Sequence, residues 1–468
     1  MYTDRTQAPA GRRRRRVGLI YAFGALGGLN WGYDTGVISA ALVYLRRDFS
    51  LTSWSEAWVV TGLILGAVGG AAVGGRLSDR FGRWKVLLVT AVIFLVAPLG
   101  MAAAPDETVL FLFRVLAGIG AGLTAVILPV YLSEIAPARI RGRVTALYVL
   151  AIVSGQFLGF VVGLLYAPME SWRWMLGLSV VPSVLFAAGL FVIWETPRWL
   201  VLQGREEEAL RVLRYARSEE EAHRELAEIR AVEAMESDAE RSVLGLLRRR
   251  WVRPILVVGV VVAVLQQITG ANAIIYYAPT TLQRVGFTDH AAIASNLLIG
   301  VMNVIALLIA LRYADGWGRR PLLLLGTVGM GLSLAVLAAA NLLLPTPDGF
   351  GLVGILTLGC MALYILMFQM SWGSLTWVLL GEIFPLRVRA TAMAVATTSL
   401  WAANAVVALG FPPLLDAVGV GALFAGFAVV CVLALVFTWR WVPETKGRSL
   451  EEIEAQFRRA DTHRTHQK

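Results

Sequence analysis

Runs of about 20 apolar residues, separated by short polar stretches, recur along the whole chain. A helix needs roughly 20 such residues to cross ~30 Å of hydrocarbon. Twelve segments meet that length: about 17–43, 57–77, 86–104, 108–130, 144–166 and 175–194, then about 255–281, 290–313, 320–343, 351–380, 390–413 and 418–441. The pattern predicts an all-α membrane protein of twelve transmembrane helices. One interval is different. The stretch 195–254 contains GREEEALRVLRYARSEEEAHRELAEIRAVEAMESDAE, rich in strong helix formers with Glu and Arg at i,i+3 and i,i+4 spacing. Leu210, Val212, Leu213 and Leu226 give it only a thin apolar stripe. It reads as two to four short amphipathic helices against the cytoplasmic face, a covering layer and interdomain latch rather than a regulatory domain.

Composition agrees: 57% of residues are hydrophobic and only 16% charged, against about 25% charged in soluble domains. A net charge of +10 would suggest a nucleic-acid partner for a soluble chain. Its distribution excludes that reading. Of the 42 Lys and Arg residues, all but Arg46, Arg47, Arg173, Arg284 and the intramembrane Arg114 fall in the tails and in alternate loops that share one side. The positive-inside rule then places both termini and the 195–254 loop in the cytoplasm of a plasma-membrane protein, which requires an even number of spans. The run Arg12–Arg16 reads as a cytosolic anchor rather than a twin-arginine signal, and the first span is too long and too polar at its centre for a cleaved signal peptide.

Several chemistries drop out. Cys360 and Cys431 both sit in apolar spans and read as packing residues. The four His residues form no ligand pair, so neither a metal nor a cofactor is implied. There is no G-x-x-x-x-G-K-[ST], which argues against an ATP-driven pump. Glycines at 66, 69, 70, 74, 75, 118, 120 and 122 read as close helix packing. No nucleophile–base pair lies in the spans, so an enzyme is not expected.

The chain also repeats itself. GRLSDRFGRWK (75–85) follows the second span and LRYADGWGRRP (311–321) the eighth. LSEIAPARIRG (132–142) follows the fourth and LGEIFPLRVRA (380–390) the tenth; ETPRWL follows the sixth and ETKGRSL the twelfth. Three signatures recurring in order imply two six-span halves in the same orientation, a secondary-transporter architecture. The expected domains are an N-terminal bundle with its tail over 1–194, linker helices over 195–254, a C-terminal bundle over 255–441 and a tail over 442–468.

Asp34, in LNWGYDTGVIS, and Arg114, in VLFLFRVLAGIGAG, are formal charges within apolar spans. Each costs at least ~2.5–3.5 kcal/mol at mid-bilayer depth, so such residues usually pair, face a watery cavity or carry an ion or proton. The seventh span carries Gln266, Gln267, Asn272, Tyr276 and Tyr277 around Gly270. Amides both donate and accept hydrogen bonds, and aromatic rings offer an apolar plane with a polar tip. At 100° per residue, Gln267 and Asn272 would lie about 140° apart on an unbroken helix. A break near Thr269-Gly270-Ala271 would let both face inward.

The motifs GYDTGVIS, GRLSDRFGR, RVLAGIGAG, PVYLSEIAPARIRG, ETPRWL, QQITGANAIIYYAP, DGWGRRP, SWGSLTWVLLGEIFP and PETKG span nearly the whole sequence. Together they resemble the sugar porter family of the major facilitator superfamily. That resemblance implies two six-helix bundles around a central cavity, with alternating access to a monosaccharide or polyol. It places sugar contacts at Gln156, Gln266, Gln267, Asn272, Asn303 and Trp377, with Tyr276 and Trp31 as gate or wall residues and Trp372 as packing. Where some members have an amide in the eleventh span, this chain has Leu400. A first-span carboxylate is what the proton-coupled members have, so Asp34 and Arg114 are expected to couple transport to a proton, the only coupling partner implied.

The repeated loop charges read as latches: Asp79, Arg83, Glu134, Arg141 and Glu195 in one half, and Asp315, Arg319, Glu382, Arg389 and Glu444 in the other. Trp84 stands for a usual Arg and Ala390 for a usual Gly. The expected function is proton-coupled symport of a monosaccharide, an aldohexose such as glucose, by a monomer in the lipid bilayer. The alternatives are a passive facilitator, a polyol or pentose symporter and, more remotely, a sugar sensor that does not transport.

Overall fold

The computed structural model describes residues 10–136, 141–236, 252–344, 351–384 and 389–446, and every regular element among them is helical. In chain order these are α1 (Ala10–Asp48), α2 (Ser53–Phe81), α3 (Arg83–Ala103), α4 (Glu107–Ile135) and α5 (Arg141–Tyr166). Next come α6 (Trp172–Gly177), α7 (Val180–Leu190), α8 (Pro197–Leu202), α9 (Glu206–Ala216) and α10 (Glu219–Glu236). The remainder are α11 (Val252–Ile268), α12 (Ala271–Arg284), α13 (Asp289–Trp317), α14 (Arg319–Leu343), α15 (Leu352–Phe368), α16 (Ser374–Ile383) and α17 (Arg389–Trp441). Short polar residues start some of the helices where orphan N–H groups need acceptors. Asp106 accepts the Val109 N–H at 2.9 Å to open α4, and Thr288 does the same for α13 through Ala291.

Ten helical stretches among the described residues are long and apolar enough to cross a membrane. The longest, Thr391–Trp441, holds two spans, because Gly419 at φ 77° interrupts α17. With α1 in front of them, the twelve segments of the hydrophobic pattern are all accounted for.

The sixth span departs from one continuous helix. It is divided into α6 and α7, and α7 ends at Leu190 rather than near 194. Pro182 has no N–H to offer the carbonyl of Leu178. That carbonyl accepts instead from Val181 at 3.0 Å, a tighter turn that separates the two pieces. The tenth span carries a π-helical turn, Gln369–Gly373, between α15 and α16; such turns are frequent at functional sites.

By their contacts the helices divide into two units whose pieces alternate along the chain. One takes the described residues of 1–34, 65–156 and 173–241; the other takes those of 35–64, 157–172 and 242–468. The first is organised around Phe94, Leu128, Tyr131 and Phe186, with the Phe94 and Phe186 rings edge to face at 5.9 Å. The three linker helices attach to this unit. Trp199, Leu200, Ala209, Leu213 and Leu226 form their own small core, with Leu210 and Val212 packed against it. Trp199 Nε1 donates to the Asp79 carbonyl at 2.9 Å, and buried Arg217 donates to the Ile135 carbonyl at 3.2 Å while pairing with Glu225. The described part of the predicted linker is thus helical over α8–α10, and 237–251 lies outside the described residues. In the second unit Tyr277 stacks on Phe411 at 5.1 Å, and Phe411 in turn meets Phe424 and Phe427.

Candidate functional site

In the first unit, α1 carries Asp34 and α4 carries Arg114. Nη1 of Arg114 lies 3.7 Å from Oδ1 of Asp34, with side-chain exposures of 1% and 8%. That separation is beyond hydrogen-bond length, and among the described residues neither carboxylate oxygen accepts a hydrogen bond. Two opposite charges are thus buried together beyond hydrogen-bond length of each other, an arrangement short of the close geometry that best stabilises a buried pair. Neighbouring side chains on α1 are held firmly. Tyr33 donates its hydroxyl to the Met175 carbonyl at 2.7 Å, and Asn30 accepts from Ser183 at 2.7 Å.

Gln156 is buried on α5, the helix against which this part of α1 rests. The approach depends on Gly32, where a Cβ would come within 1.9 Å of the Ile152 carbonyl oxygen and 2.9 Å of the Gln156 N. Asp34 and Gln156 are also the last residues of their respective chain pieces before each helix passes into the second unit. Trp31 is half-buried against the apolar core of the first unit.

In the second unit the seventh span breaks where the residues suggested. α11 ends at Ile268, Gly270 adopts φ +96°, and α12 begins at Ala271. Only glycine takes that left-handed conformation without strain, and a Cβ there would meet the Phe427 ring at 2.9 Å. The break turns Asn272 back toward α11. Asn272 Nδ2 donates to Gln267 Oε1 at 2.7 Å, Gln267 Nε2 to Gln266 Oε1 at 3.0 Å, and Gln266 Nε2 to the Trp372 carbonyl at 3.2 Å. Three amides form one directional chain, with lone pairs and N–H groups left over for hydroxyl groups. Tyr364 satisfies the buried break by donating to the Thr269 carbonyl at 2.8 Å.

The other named residues of this unit differ in setting. Asn303 and Tyr276 are buried, at 5% and 4% exposure, whereas Trp377 is 36% exposed. Trp372 is fully enclosed and donates its indole N–H to Thr327 at 2.7 Å, the environment of a packing residue. Leu400 is buried, and one turn further on lies Asn404, 1% exposed, whose Oδ1 has no hydrogen bond among the described residues. Sequence reading passed over Asn404. Its signal is the sole amide in LWAANAVVAL, one turn from Leu400.

The repeated loop motifs have a repeated geometry. Gly82 and Gly318, at φ 96° and 93°, immediately precede α3 and α14. The carboxylate of Glu195 accepts the N–H groups of Arg83 at 2.9 Å and Trp84 at 3.1 Å; that of Glu444 accepts those of Arg319 and Arg320, each at 3.1 Å. Each glutamate thus caps a helix N-terminus, where the free N–H groups and the helix dipole favour an anion. Glycine leaves room for it: a Cβ would sit 2.2 Å from Glu195 Oε2, or 2.7 Å from Glu444 Oε2. Burial raises the Glu195 carboxyl above its usual value, while the N–H groups of Thr196, Trp84 and Arg83 and the Arg83 charge pull it down.

Arg83 meets both Asp79 and Glu134 at 3.2 Å, and Arg319 meets Glu382 at 2.9 Å. Trp84 donates its indole N–H to the Leu190 carbonyl at 3.0 Å. The side chains of Arg141, Asp315, Arg389 and Ala390 lie outside the described residues.

Comparison with known proteins supplies the context. Residues 20–457 match the family model described as sugar (and other) transporter. The chain is 42% identical over 448 residues to a probable metabolite transport protein, CsbC, of Bacillus subtilis, covering 96% of both chains. It is 37% identical to the glucose transporter GlcP of Staphylococcus epidermidis, covering 96% of this chain and 98% of that one. The inward open xylose transporter XylE from E. coli superposes with a TM-score of 0.81 at 31% identity, covering 94% of this chain and 99% of that one. A second XylE structure, described as a major facilitator superfamily proton:xylose symporter bound to 6-bromo-6-deoxy-D-glucose, gives a TM-score of 0.78 at 31% identity, covering 95% and 100%.

Proposed function

We propose, on the premise that this chain belongs to the sugar transporter family of the major facilitator superfamily, that it couples the entry of a monosaccharide to that of a proton. The family membership makes the protein a multi-pass membrane transporter of sugars or related metabolites and not an enzyme. The finer reading is proton-coupled symport of an aldohexose such as glucose, by a monomer in the plasma membrane with both termini in the cytoplasm. Support for the sugar comes from GlcP, a glucose transporter, and from XylE, a proton:xylose symporter whose structure holds a glucose derivative.

The observation that carries the coupling is the Asp34–Arg114 pair, buried, 3.7 Å apart and, among the described residues, without a hydrogen bond to either carboxylate oxygen. In this reading Asp34 binds a proton when open to the outside and lets go of Arg114. Sugar binding then permits closure, and the pair re-forms once the proton leaves inside. The Asn272–Gln267–Gln266 chain, with Gln156, Asn303 and Trp377, bonds the sugar; Tyr276 and Trp31 serve as gate or wall. The two six-span halves, 1–194 and 255–441, change access by moving as bodies. The charges of Asp79, Arg83, Glu134, Arg141 and Glu195, and of Asp315, Arg319, Glu382, Arg389 and Glu444, latch their cytoplasmic ends, with the 195–254 linker between them.

One charge moved across 100 mV supplies about 2.3 kcal/mol, enough for roughly fiftyfold accumulation. The test is transport in liposomes by wild type and Asp34→Asn, with and without an imposed pH gradient. Asp34→Asn is expected to lose uphill uptake while keeping sugar counterflow. Retained pH-driven accumulation by the variant would remove Asp34 from the mechanism. Wild-type uptake indifferent to the gradient would select a passive facilitator.

A further inference from the structure

We propose that Ser39 of α1 and Asn296 of α13 form an outer sugar subsite, a second place at which a sugar hydroxyl is bound before it reaches the central amides. The proposal rests on the transport reading above and on residues that reading does not use. Both side chains are buried, at 0% and 1% exposure. Asn296 Nδ2 donates to Ser39 Oγ at 2.8 Å, and the Ser39 hydroxyl donates within its own helix to the Gly36 carbonyl at 2.7 Å. Asn296 Oδ1 accepts nothing among the described residues. A buried amide oxygen without a donor is a standing cost. A partner with both a donor and an acceptor, such as a sugar hydroxyl, would satisfy that oxygen and the second amide hydrogen together.

Position supports the same role. Asn296 precedes Asn303 by seven residues, two helical turns or about 10.5 Å along the axis, so the two amides share a face of α13. Gly300 lies on that face between them. It is covered by α5, where a Cβ on Gly300 would meet Phe160 at 2.8 Å and Phe157 at 2.9 Å. At Gly300 the line from Asn296 to Asn303 therefore carries no side chain of α13, and aromatic rings of α5 close it there.

Toward the helix ends a charged layer follows. Arg47 pairs with Asp289, Arg46 with Glu56 at 3.3 Å, and Asp416 takes both Ser53 and Arg284. The Arg47–Asp289 and Arg284–Asp416 pairs reach the surface and exchange for water at little cost, whereas Glu56 is buried. When this layer hydrates and the Ser39–Asn296 bond opens, two polar groups are released at the outer end of the amide line. A hydroxyl-bearing solute fits the sites they leave.

A subsite on one side of the permeation route affects loading from that side only. Right-side-out proteoliposomes carrying wild type, Asn296→Leu or Ser39→Ala are assayed for glucose, xylose and myo-inositol, with half-saturating concentrations measured separately for influx and efflux. Loss of the subsite is expected to raise the influx value about tenfold and leave the efflux value within twofold. Equal shifts in both directions, or an unchanged influx value, would overturn the subsite and leave the pair as a helix–helix bond. If Asn296→Leu does not fold, Ser39→Ala, which removes one hydroxyl, decides alone by the same asymmetry. Absence of flux for all three sugars in wild type would overturn the transport reading together with the subsite, an outcome distinct from either symmetric result.

Discussion

Glu195 binds the helix that begins at Arg83, accepting its N–H at 2.9 Å and that of Trp84 at 3.1 Å. Glu444 repeats the arrangement at Arg319 and Arg320. The two copies of the loop motif therefore share a physical device. A glycine with positive φ starts a helix, and a glutamate from far along the chain caps it.

A pH prediction follows from the first copy. Burial holds the Glu195 carboxyl above its ordinary value of 4.5 in the folded protein, so the fold binds its proton more tightly than the unfolded chain does. The contribution is complete below the unfolded value and fades as pH rises through the folded one. Glu195→Gln should therefore gain on wild type in thermal midpoint as pH is raised from about 4.5 toward neutrality. Parallel midpoints for the two proteins across that window would contradict it.

At the broken seventh span, Gly270→Ala places a side chain in a left-handed conformation and against the Phe427 ring. The expected loss is at least ~1–2 kcal/mol of stability, together with weaker sugar binding as Asn272 is displaced. Asn272→Ala keeps the glycine and should weaken binding, by about tenfold, with little change in stability. Thermal unfolding and sugar-binding titration of the two variants separate the effects.

Two tryptophans in one span should behave oppositely. Trp372 is enclosed and hydrogen-bonded to Thr327, so Trp372→Ala is expected to destabilise by ~3–5 kcal/mol. Trp377 is 36% exposed, so Trp377→Ala should leave folding within about 1 kcal/mol and instead raise the half-saturating sugar concentration. Equal destabilisation by both would argue that Trp377 is merely packed.

Arg217 fastens the linker helices to α4 through the Ile135 carbonyl while pairing with Glu225. Arg217→Ala leaves those acceptors with one donor fewer, a loss of roughly 1–3 kcal/mol, confined to α8–α10. Limited proteolysis should cut within 195–236 markedly faster in the variant, with the transmembrane fragments intact. An unchanged cleavage rate would show that the apolar cluster around Trp199 and Leu213 holds the linker without it.

Much was legible because membrane insertion depends on local composition. The spans, the break at Gly270 and the linker helices each follow from side chains within one stretch of chain. Pro182 was also in plain view, yet its division of the sixth span into α6 and α7 went unread. Asn404, Ser39 and Asn296 were harder. Single polar residues in apolar spans look alike until their neighbours on other helices are known.

By itself the sequence determined the membrane spans, the break at Gly270 and the duplicated motifs, because hydrocarbon length, glycine's conformational freedom and the period of apolar residues act over a few turns. Only the tertiary structure decided that Glu195 and Glu444 cap distant helices, that Asn272 turns back onto Gln267, and that Asp34 meets Arg114 without a hydrogen bond. It likewise decided that the stretches 35–64 and 157–172 associate with the later part of the chain. Each of these is a contact between side chains or backbone groups separated by a helix break or by whole helices, where packing geometry rather than local preference selects the partner.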